Sequence, residues 1–299
     1  MRFERVSRRL FLKGATGAGT LMAWGDGLAS GAKPRFEMGL QLYTVRDPMA
    51  SAPLETLKQI AALGYRNLET FGFEAEAVRY YGMDAPRFKQ VLDGLGLRST
   101  SGHYSLFTRL ESPVGELRSY VNQCIEGARA LGQEYITWPW LAPEQRTLRH
   151  FELLAPRLNL IGEQVKAAGL KLAYHNHDFE FIPQDGKLGY DIVMRETDPA
   201  LVKLQLDLFW AAHSSKRSPH ELFALQPGRF VMWHIKDMDR KNRDLYTELG
   251  NGSIDFTKIM PEAQLAGLEN YFVEQGDNFA VDPMKSIATS AAYVKRRLE

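Results

Sequence analysis

The amino-acid sequence predicts an α/β protein in which residues 34–299 form a single (β/α)8 barrel, the TIM-barrel fold. Three observations support this prediction. Eight short apolar runs alternate along the chain with longer segments whose apolar residues recur at helical spacing. Glycines fall near the ends of several helical segments, just before the next apolar run, where a left-handed residue stops a helix. No Pro/Ser-rich linker or run of charge interrupts the alternation, so a second domain is not required.

The apolar runs have the length of strands, and the segments between them have the length of helices. In Leu54–Leu63 and in Leu154–Ala168 the apolar residues share one helical face. The glycines at predicted helix ends are Gly64, Gly96, Gly132, Gly169 and Gly267. The predicted strands are Met38–Tyr43, Tyr65–Thr70, Leu97–His103, Tyr135–Trp138, Lys171–His177, Val202–Leu208, Phe230–Lys236 and Tyr271–Glu274.

The alternative fold is an open, doubly wound sheet. Such a sheet would lead us to expect a glycine-rich phosphate-binding turn after the first strand. The segment that follows this strand is instead Leu42-Tyr43-Thr44-Val45-Arg46-Asp47, which contains no glycine. The closed barrel is therefore the simpler interpretation.

The composition is that of an ordinary globular enzyme and argues against a nucleic-acid partner. Apolar residues make up 44% and charged residues 24% of the 299 residues, which is enough to bury a sizeable core. A formal net charge of +1 provides no basic field for a phosphate backbone. We therefore expect a small-molecule ligand.

Residues 1–33 differ in kind from the rest of the chain and predict a twin-arginine export signal. Ser7-Arg8-Arg9-Leu10-Phe11-Leu12-Lys13 precedes the small-residue stretch Gly14–Ala23, and Ser30-Gly31-Ala32 could be a cleavage site. The stretch is shorter than the roughly 20 apolar residues of a membrane span. The alternative is a basic amphipathic helix. We expect the twin-arginine export machinery as a partner, a periplasmic or otherwise exported mature protein beginning near Lys33, and no membrane span in it.

Polar residues close four consecutive predicted strands. They are His175-Asn176-His177-Asp178, Asp207, His234-Ile235-Lys236-Asp237 and Glu274-Gln275. In parallel barrels the active site forms where the carboxyl ends of the strands meet. Imidazole and carboxylate groups that converge there suit a divalent ion such as Mn²⁺, Mg²⁺, Zn²⁺ or Co²⁺, and burying them unpaired would be costly. The pattern favours a metal site, with a hydrogen-bonded polar cluster as the alternative.

These motifs resemble those of the sugar phosphate isomerase/epimerase family, a group of xylose isomerase-like barrels. The resemblance runs from Gly39-Leu40-Gln41-Leu42-Tyr43-Thr44 to the last predicted helix. Its most specific segments are Tyr174–Phe181, Leu206–Trp210, His234–Asp237, Gly250–Phe256 and Val273-Glu274.

The resemblance implies a ligand set at four strand ends. The family usually supplies Glu, Asp, His and Glu in that order, and these positions correspond here to His175, Asp207, His234 and Glu274. The first position departs from the family pattern. In family epimerases the first and last glutamates act both as ligands and as the acid/base pair, so a histidine at position 175 disturbs that two-base scheme.

His177 is the predicted acid/base partner of this site, together with Glu274. It lies two residues after His175, so both side chains would point to the same side of an extended strand. Some dehydratases of the family resemble this arrangement, with a catalytic histidine two residues after the first ligand. We therefore assign His175 as ligand and His177 as general base or acid, with exchanged roles as the alternative. Neutral imidazole suits proton transfer because its unperturbed pKa is about 6.5.

Lys236 is the third predicted catalytic residue. It follows His234 by two positions, where a cation could orient a sugar hydroxyl or stabilise a developing enolate. An ion pair with Asp237 is the alternative interpretation.

Other polar and aromatic side chains at strand ends are candidates for substrate binding. His103 could bind substrate or be a core histidine, and Glu69 could bind a hydroxyl or the ion, or pair with an arginine. Trp138, Trp140 and Trp210 could stack on a sugar ring, with simple packing as the alternative.

The predicted activity is that of a metal-dependent sugar isomerase/epimerase. It would transfer a proton at the carbon α to a carbonyl of a non-phosphorylated sugar or keto-sugar. The predicted export argues against a phosphorylated substrate, because phosphorylated metabolites are largely cytosolic. A metal-dependent lyase or dehydratase, which eliminates a β-substituent from a keto-sugar or keto-glycoside, is the first alternative. A non-catalytic sugar-binding barrel is the second. The sequence leaves a homo-oligomer open.

Overall fold

The computed structural model describes residues 36–299, and the predicted export signal at residues 1–33 lies outside them. Within the described residues, no helix combines the length and apolar character needed to cross a membrane.

Eight parallel strands form a closed barrel, which confirms the predicted fold. The barrel closes because the first strand pairs in parallel with both the second and the last. The structure contains all eight predicted strands, six of them one to three residues shorter than predicted and two of the predicted length. They are β1 Gly39–Gln41, β2 Asn67–Thr70, β3 Arg98–His103, β4 Tyr135–Trp138, β5 Lys171–His175, β6 Val202–Asp207, β7 Met232–Ile235 and β8 Asn270–Val273.

Helices connect the strands around the outside of the barrel. The α-helices are α1 Arg46–Ser51, α2 Pro53–Ala62, α3 Ala85–Gly94, α4 Val114–Leu131, α5 Leu148–Ala167, α6 Gly189–Glu196, α7 Leu208–Ser214, α8 Pro219–Leu225, α9 Phe256–Ile259, α10 Ala263–Ala266 and α11 Pro283–Arg297. Short 3-10 helices span Leu42–Val45, Leu106–Arg109, Pro143–Gln145, Phe179–Phe181 and Met260–Glu262. Two small antiparallel ladders pair Arg79–Tyr80 with Met83–Asp84, and Asp237–Met238 with Tyr246–Thr247.

The glycines predicted to end helices do so in the left-handed conformation. Gly132 follows α4 with a φ of 72°, and its N–H bonds to the carbonyl groups of the last helical turn. Only glycine takes this backbone conformation without a steric cost from Cβ, which explains its position between helix and strand. All five predicted glycines have positive φ: Gly64, Gly96, Gly132, Gly169 and Gly267.

The alternation of side chains along each strand separates the main core from the barrel interior. In β6, Leu204 and Leu206 belong to the main core that includes residues of the surrounding helices, whereas Gln205 and Asp207 point the other way. Burying a leucine side chain fully stabilises the fold by about 1.5–3 kcal/mol relative to leaving it exposed. The packing of the outer strand faces against the helices therefore determines which side chains point into the barrel.

A small apolar layer lies inside the barrel, on the N-terminal side of the predicted site. Its buried members form a cluster separate from the main core. Three of them, Ala173, Met232 and Phe272, lie two residues before His175, His234 and Glu274, on the same side of the chain. The complete cluster is Tyr135, Ala173, Val231, Met232 and Phe272. The polar residues at the strand ends therefore lie on an apolar base.

Candidate active site

The carboxyl ends of β5 to β8 bring the four predicted metal ligands together. Atoms of Asp207, His234 and Glu274 lie within 4.8 Å of one another, and those of His103, His175 and His234 do so as well. His175 Nε2 lies 3.8 Å from Asp207 Oδ2 and connects the two groups. The structure thus gathers the donor set that the strand ends predicted.

Asp207 serves both the fold and the site. As the N-cap of α7, it accepts hydrogen bonds at Oδ1 from the backbone N–H groups of Phe209 and Trp210, at 3.0 and 3.1 Å. Its other oxygen, Oδ2, faces His175 and Lys236. The helix start therefore fixes the direction in which this carboxylate points.

His234 lies between two carboxylates. Its Nδ1 is 2.9 Å from Glu274 Oε2, and its Nε2 is 2.5 Å from Glu69 Oε2. Burial disfavours a charge on this ring, but the attraction of Glu69 and Glu274 outweighs burial and raises the pKa of His234 to about 9. In the absence of a divalent ion, His234 is an imidazolium that donates to both carboxylates.

Glu69 lies beneath the cavity and does not line it. Its side chain is fully buried, and it accepts hydrogen bonds from Gln41 Nε2 at 2.8 Å, Ser101 Oγ at 2.6 Å and Gln205 Nε2 at 2.7 Å. Burial opposes its charge, but His103 and His234 hold its pKa well below the usual range. The structure therefore places Glu69 where it orients His234, away from the substrate contact considered from the sequence.

The residues present fit a divalent metal ion. Carboxylate and imidazole donors suit Mn²⁺, Mg²⁺, Zn²⁺ or Co²⁺. The 2.9 Å between His234 Nδ1 and Glu274 Oε2 matches two neighbouring ligands around an ion with bonds of about 2.0–2.1 Å. A carboxylate such as Glu69 on the other nitrogen is the usual outer partner of a metal-bound histidine. His175 Nδ1 is buried without a hydrogen-bond partner among the described residues, which often marks a missing ion, water or ligand.

Lys236 pairs with two of the predicted ligands. Its Nζ lies 2.8 Å from Asp207 Oδ2 and 2.5 Å from Glu274 Oε2, and its side chain is 5% exposed. Burial disfavours the ammonium charge, but Asp207 and Glu274 outweigh burial and raise the pKa of Lys236 above its ordinary value. The same cation, with His234, holds the pKa of Glu274 below its usual range against the effect of burial.

Asp237, the alternative partner for Lys236, has a different role. Its two carboxylate oxygens accept backbone hydrogen bonds of 2.9–3.0 Å from Met238, Gly250, Gly252 and Ile254. A Cβ at position 252 would lie 2.2 Å from Asp237 Oδ1, so only glycine allows this approach. The motif Gly250-Asn251-Gly252 is therefore the loop that encloses Asp237.

His177 lies in the loop after β5 and not on the strand, because the strand ends at His175. The backbone N–H of His177 donates a hydrogen bond to the side chain of Glu180 at 2.8 Å instead of to a neighbouring strand. The two imidazole rings nevertheless lie 4.9 Å apart, and the ring of His177 packs edge-on against Trp140 at 4.6 Å. Burial, followed by the charge of Lys236, lowers the pKa of His177 well below 6.5, so this ring is neutral near pH 7.

Glu180 is a buried acid that the analysis of the sequence did not single out. It accepts hydrogen bonds from the Tyr174 hydroxyl at 2.7 Å and from the His177 backbone. Burial raises its pKa to about 8. Its position five residues after the end of β5, inside the motif Tyr174–Phe181, is the signal that could have identified it. Glu180 positions the loop that carries His177.

A cavity of about 500 Å³ opens above these groups. Of the residues predicted from the sequence, it is lined by His103, Trp140, His175, His177, Trp210, Lys236 and Glu274. His103 is only partly buried, and its Nε2 lies 2.8 Å from Gln205 Oε1.

The structure places Trp138 away from the predicted substrate contact. Its side chain is fully buried, and its Nε1 donates to the Trp140 carbonyl at 3.0 Å. The side chain of Trp140, the neighbouring candidate, does line the cavity, and its ring also lies 4.3 Å from the guanidinium of Arg146. At the end of β4, Trp138 is therefore buried in the interior, and Trp140 beyond it faces the cavity.

Loops after the first two strands supply lining residues that were not predicted. Tyr43, Arg46 and Phe71 line the cavity, and the rings of Tyr43 and Phe71 meet edge to face at 5.2 Å. Arg46 Nη1 donates to the carbonyl of Gly276 at 2.8 Å, which connects the loops after β1 and β8. The rule that singled out the later strand ends would also have found Tyr43, because it closes the first predicted strand, Met38–Tyr43. Arg46 lies five residues beyond β1, at the start of α1, where that rule does not reach.

The chain belongs to the xylose isomerase-like TIM-barrel family, whose model matches residues 57–296. A sugar phosphate isomerase/epimerase from Parabacteroides distasonis is 26% identical, with a TM-score of 0.77 over 91% of this chain and 97% of that one. A xylose isomerase-like TIM-barrel protein from Mycobacterium smegmatis, in complex with magnesium, is 17% identical, with a TM-score of 0.65 over 88% and 97% of the two chains. The latter similarity shows the fold.

Curated relatives of the chain include inosose dehydratases. The enzyme from Clostridium botulinum is 28% identical over 166 residues, which cover 49% of this chain and 54% of that protein. The chain spans about half the length of the curated relatives that it matches. Isomerases, epimerases and dehydratases therefore occur among the relatives of this chain.

Proposed function

We propose that the protein is a metal-dependent sugar isomerase/epimerase that moves a proton α to a carbonyl of a non-phosphorylated sugar or keto-sugar. One observation carries the proposal. A neutral His177 and an ionised Glu274 line the same cavity, beside the donor atoms of Asp207 and His234. The P. distasonis isomerase/epimerase and the family match support the same class of reaction.

The residues at the cavity have complementary properties for proton transfer. His177 can accept a proton because it is neutral, and its Nδ1 has no partner among the described residues. Glu274 is the second group able to move a proton at the same carbon. A bound divalent ion would supply Lewis-acid polarisation of the carbonyl. The ammonium of Lys236 would stabilise the negative charge that develops on the oxygen, and Trp210 would pack against the sugar ring.

Elimination is the second candidate reaction. His175 stands where family epimerases carry a glutamate, which leaves Glu274 as the only glutamate among the four predicted ligands. The similarity to inosose dehydratases also favours elimination. In that reaction His177 would remove the α-proton and return it to the group that leaves the β-carbon.

We also propose that the twin-arginine machinery exports the protein, and that a free sugar, a keto-sugar or a keto-glycoside is its substrate. Residues 1–33 carry the export proposal through Arg8, Arg9 and the small-residue stretch Gly14–Ala23. A small sugar ligand also fits the size of the cavity, because pockets for small molecules measure about 300–1,000 Å³.

Deuterium exchange tests the proposed chemistry. Protein loaded with Mn²⁺ is incubated in D₂O with aldoses, ketoses and 3-keto-glycosides, and the sugars are followed by NMR. Exchange at a single carbon with a new epimer or isomer supports the proposal, and exchange with loss of a β-substituent identifies the lyase. His177→Ala is the matched variant, in which exchange should slow. Sugar binding without exchange would replace an enzymatic function with that of a binding protein.

A further inference from the structure

We propose that Lys236 is a resident cation of this site. Its ammonium neutralises Asp207 and Glu274 when no divalent ion is bound, and it competes with the ion for the same two carboxylates. Metal loading would then release the ammonium towards the cavity. The inference rests on the metal site of the proposed function and is independent of the reaction that the site performs.

The position of the ammonium supports the proposal. Lys236 Nζ bridges Asp207 Oδ2 and Glu274 Oε2, at 2.8 and 2.5 Å. Asp207, His234 and Glu274 are also one of the two groups whose atoms lie close enough together to share an ion. Among residues 36–299, no other lysine or arginine lies within 4.0 Å of either carboxylate. One ammonium thus contacts two of the three members of this ligand group.

Burial explains why a cation is needed there. Asp207 is fully buried, and Glu274 is 8% exposed. Two carboxylates this close would repel strongly where water screens them little, and an unpaired buried charge is strongly destabilising. Lys236 removes that cost before an ion arrives. The resident ammonium therefore stabilises the metal-free protein.

The surroundings of Lys236 offer the ammonium a second position. Its Nζ lies 5.6 Å from the ring centre of Tyr246 and 6.0 Å from that of Trp210, and all three residues line the cavity. Aromatic faces attract cations at such distances. An ammonium displaced from Asp207 or Glu274 would remain near these rings, where a sugar oxygen could reach it.

The opposite expectation is that Lys236 prepares the site and that its loss weakens metal binding. Two effects argue against it. A divalent ion and an ammonium that share the same carboxylates repel each other, and removal of the ammonium also leaves Asp207 and Glu274 unpaired in the metal-free protein. Both effects make metal binding more favourable when the charge is removed. The two views thus predict opposite changes in metal affinity when the charge of Lys236 is removed.

Titration calorimetry with Mn²⁺ distinguishes the two views. Lys236→Met should bind Mn²⁺ about tenfold or more tightly than the parent chain, because the ion would no longer compete with an ammonium for Asp207 and Glu274. Lys236→Arg keeps the charge and should bind like the parent. Lys258→Met is the matched control, because its side chain is 83% exposed, and it should change nothing. Metal-free Lys236→Met should melt at a lower temperature and recover with Mn²⁺.

Equal or weaker binding by Lys236→Met would overturn the proposal. If that variant fails to fold, the parent chain still provides a test, because the ¹⁵Nζ resonance of Lys236 should shift when Mg²⁺ is added. A resonance that stays unchanged at saturating Mg²⁺ also overturns it. None of these measurements uses a sugar, so failure here leaves the proton transfer to be decided by deuterium exchange. If neither the parent chain nor the variants bind metal, this inference and the metal site of the proposed function fall together.

Discussion

Metal binding should weaken as the pH falls, because His234 must lose a proton before it can act as a ligand. The two carboxylates on either side of its ring raise its pKa to about 9. At pH 7 this proton therefore lowers the apparent affinity for the ion by a factor of roughly 100, which corresponds to about 2.7 kcal/mol. Apparent affinity for Mn²⁺ should rise about tenfold per pH unit between roughly pH 6.5 and 8. His175 adds no further dependence, because burial and the charge of His234 already hold its pKa well below 6.5.

Calorimetry in two buffers of different ionisation enthalpy measures both quantities in this prediction, the affinity and the number of protons released. About one proton should leave for each ion bound at pH 7. His177→Ala should show the same slope, because His177 is not assigned as a ligand. Affinity that does not change with pH would refute the assignment of His234 as an imidazolium held by Glu69 and Glu274. Release of two protons would show that a second group, such as His175, is also charged before the ion binds.

Three further predictions concern export, the neighbouring histidines and the loop around Asp237. Replacing Arg8 and Arg9 by lysine should retain the precursor in the cytoplasm, as seen by fractionation and by mass spectrometry of the N-terminus; unchanged export would contradict the signal. His175→Ala should weaken Mn²⁺ binding about 10- to 100-fold, whereas His177→Ala should keep the ion and slow proton transfer about 100- to 10,000-fold; the reverse pattern would exchange their roles. Gly252→Ala should lower the free energy of unfolding by about 1–3 kcal/mol in denaturant titrations, because the new Cβ would lie 2.2 Å from Asp237 Oδ1. Gly115→Ala, with nothing within 4 Å of its Cβ, is the control, and equal stability of the two variants would refute the steric argument.

The strands and the inward-pointing ligands could be predicted because both follow from a period of two residues. Once β6 is recognised, Asp207 must point to the side opposite Leu206, and the same applies to His234 in β7. The ends of parallel strands meet at one end of the barrel, so four polar strand ends predict one site. This part of the structure depends on local pattern and on topology alone.

The depth of a side chain below the cavity could not be predicted from that pattern. Glu69 and His103 both come near the ends of their strands, but Glu69 is fully buried while His103 reaches the cavity. The pairing of β2 with β3 shifts register between Leu68 and Glu69, and such a shift leaves no signal in either strand. The choice between Trp138 and Trp140 depended likewise on the path of a loop, which carries no periodicity.

The dual use of Asp207 has an evolutionary consequence. One oxygen starts α7, and the other faces the ligands, so natural selection for a stable fold and selection for chemistry act on the same carboxylate. A descendant that lost its reaction would still benefit from an N-cap there, and asparagine would supply one as well as aspartate does. An aspartate at this position in a distant relative is therefore weak evidence of activity. The histidines at positions 175 and 234 cap no helix, and their loss would be the earlier sign of an abandoned reaction.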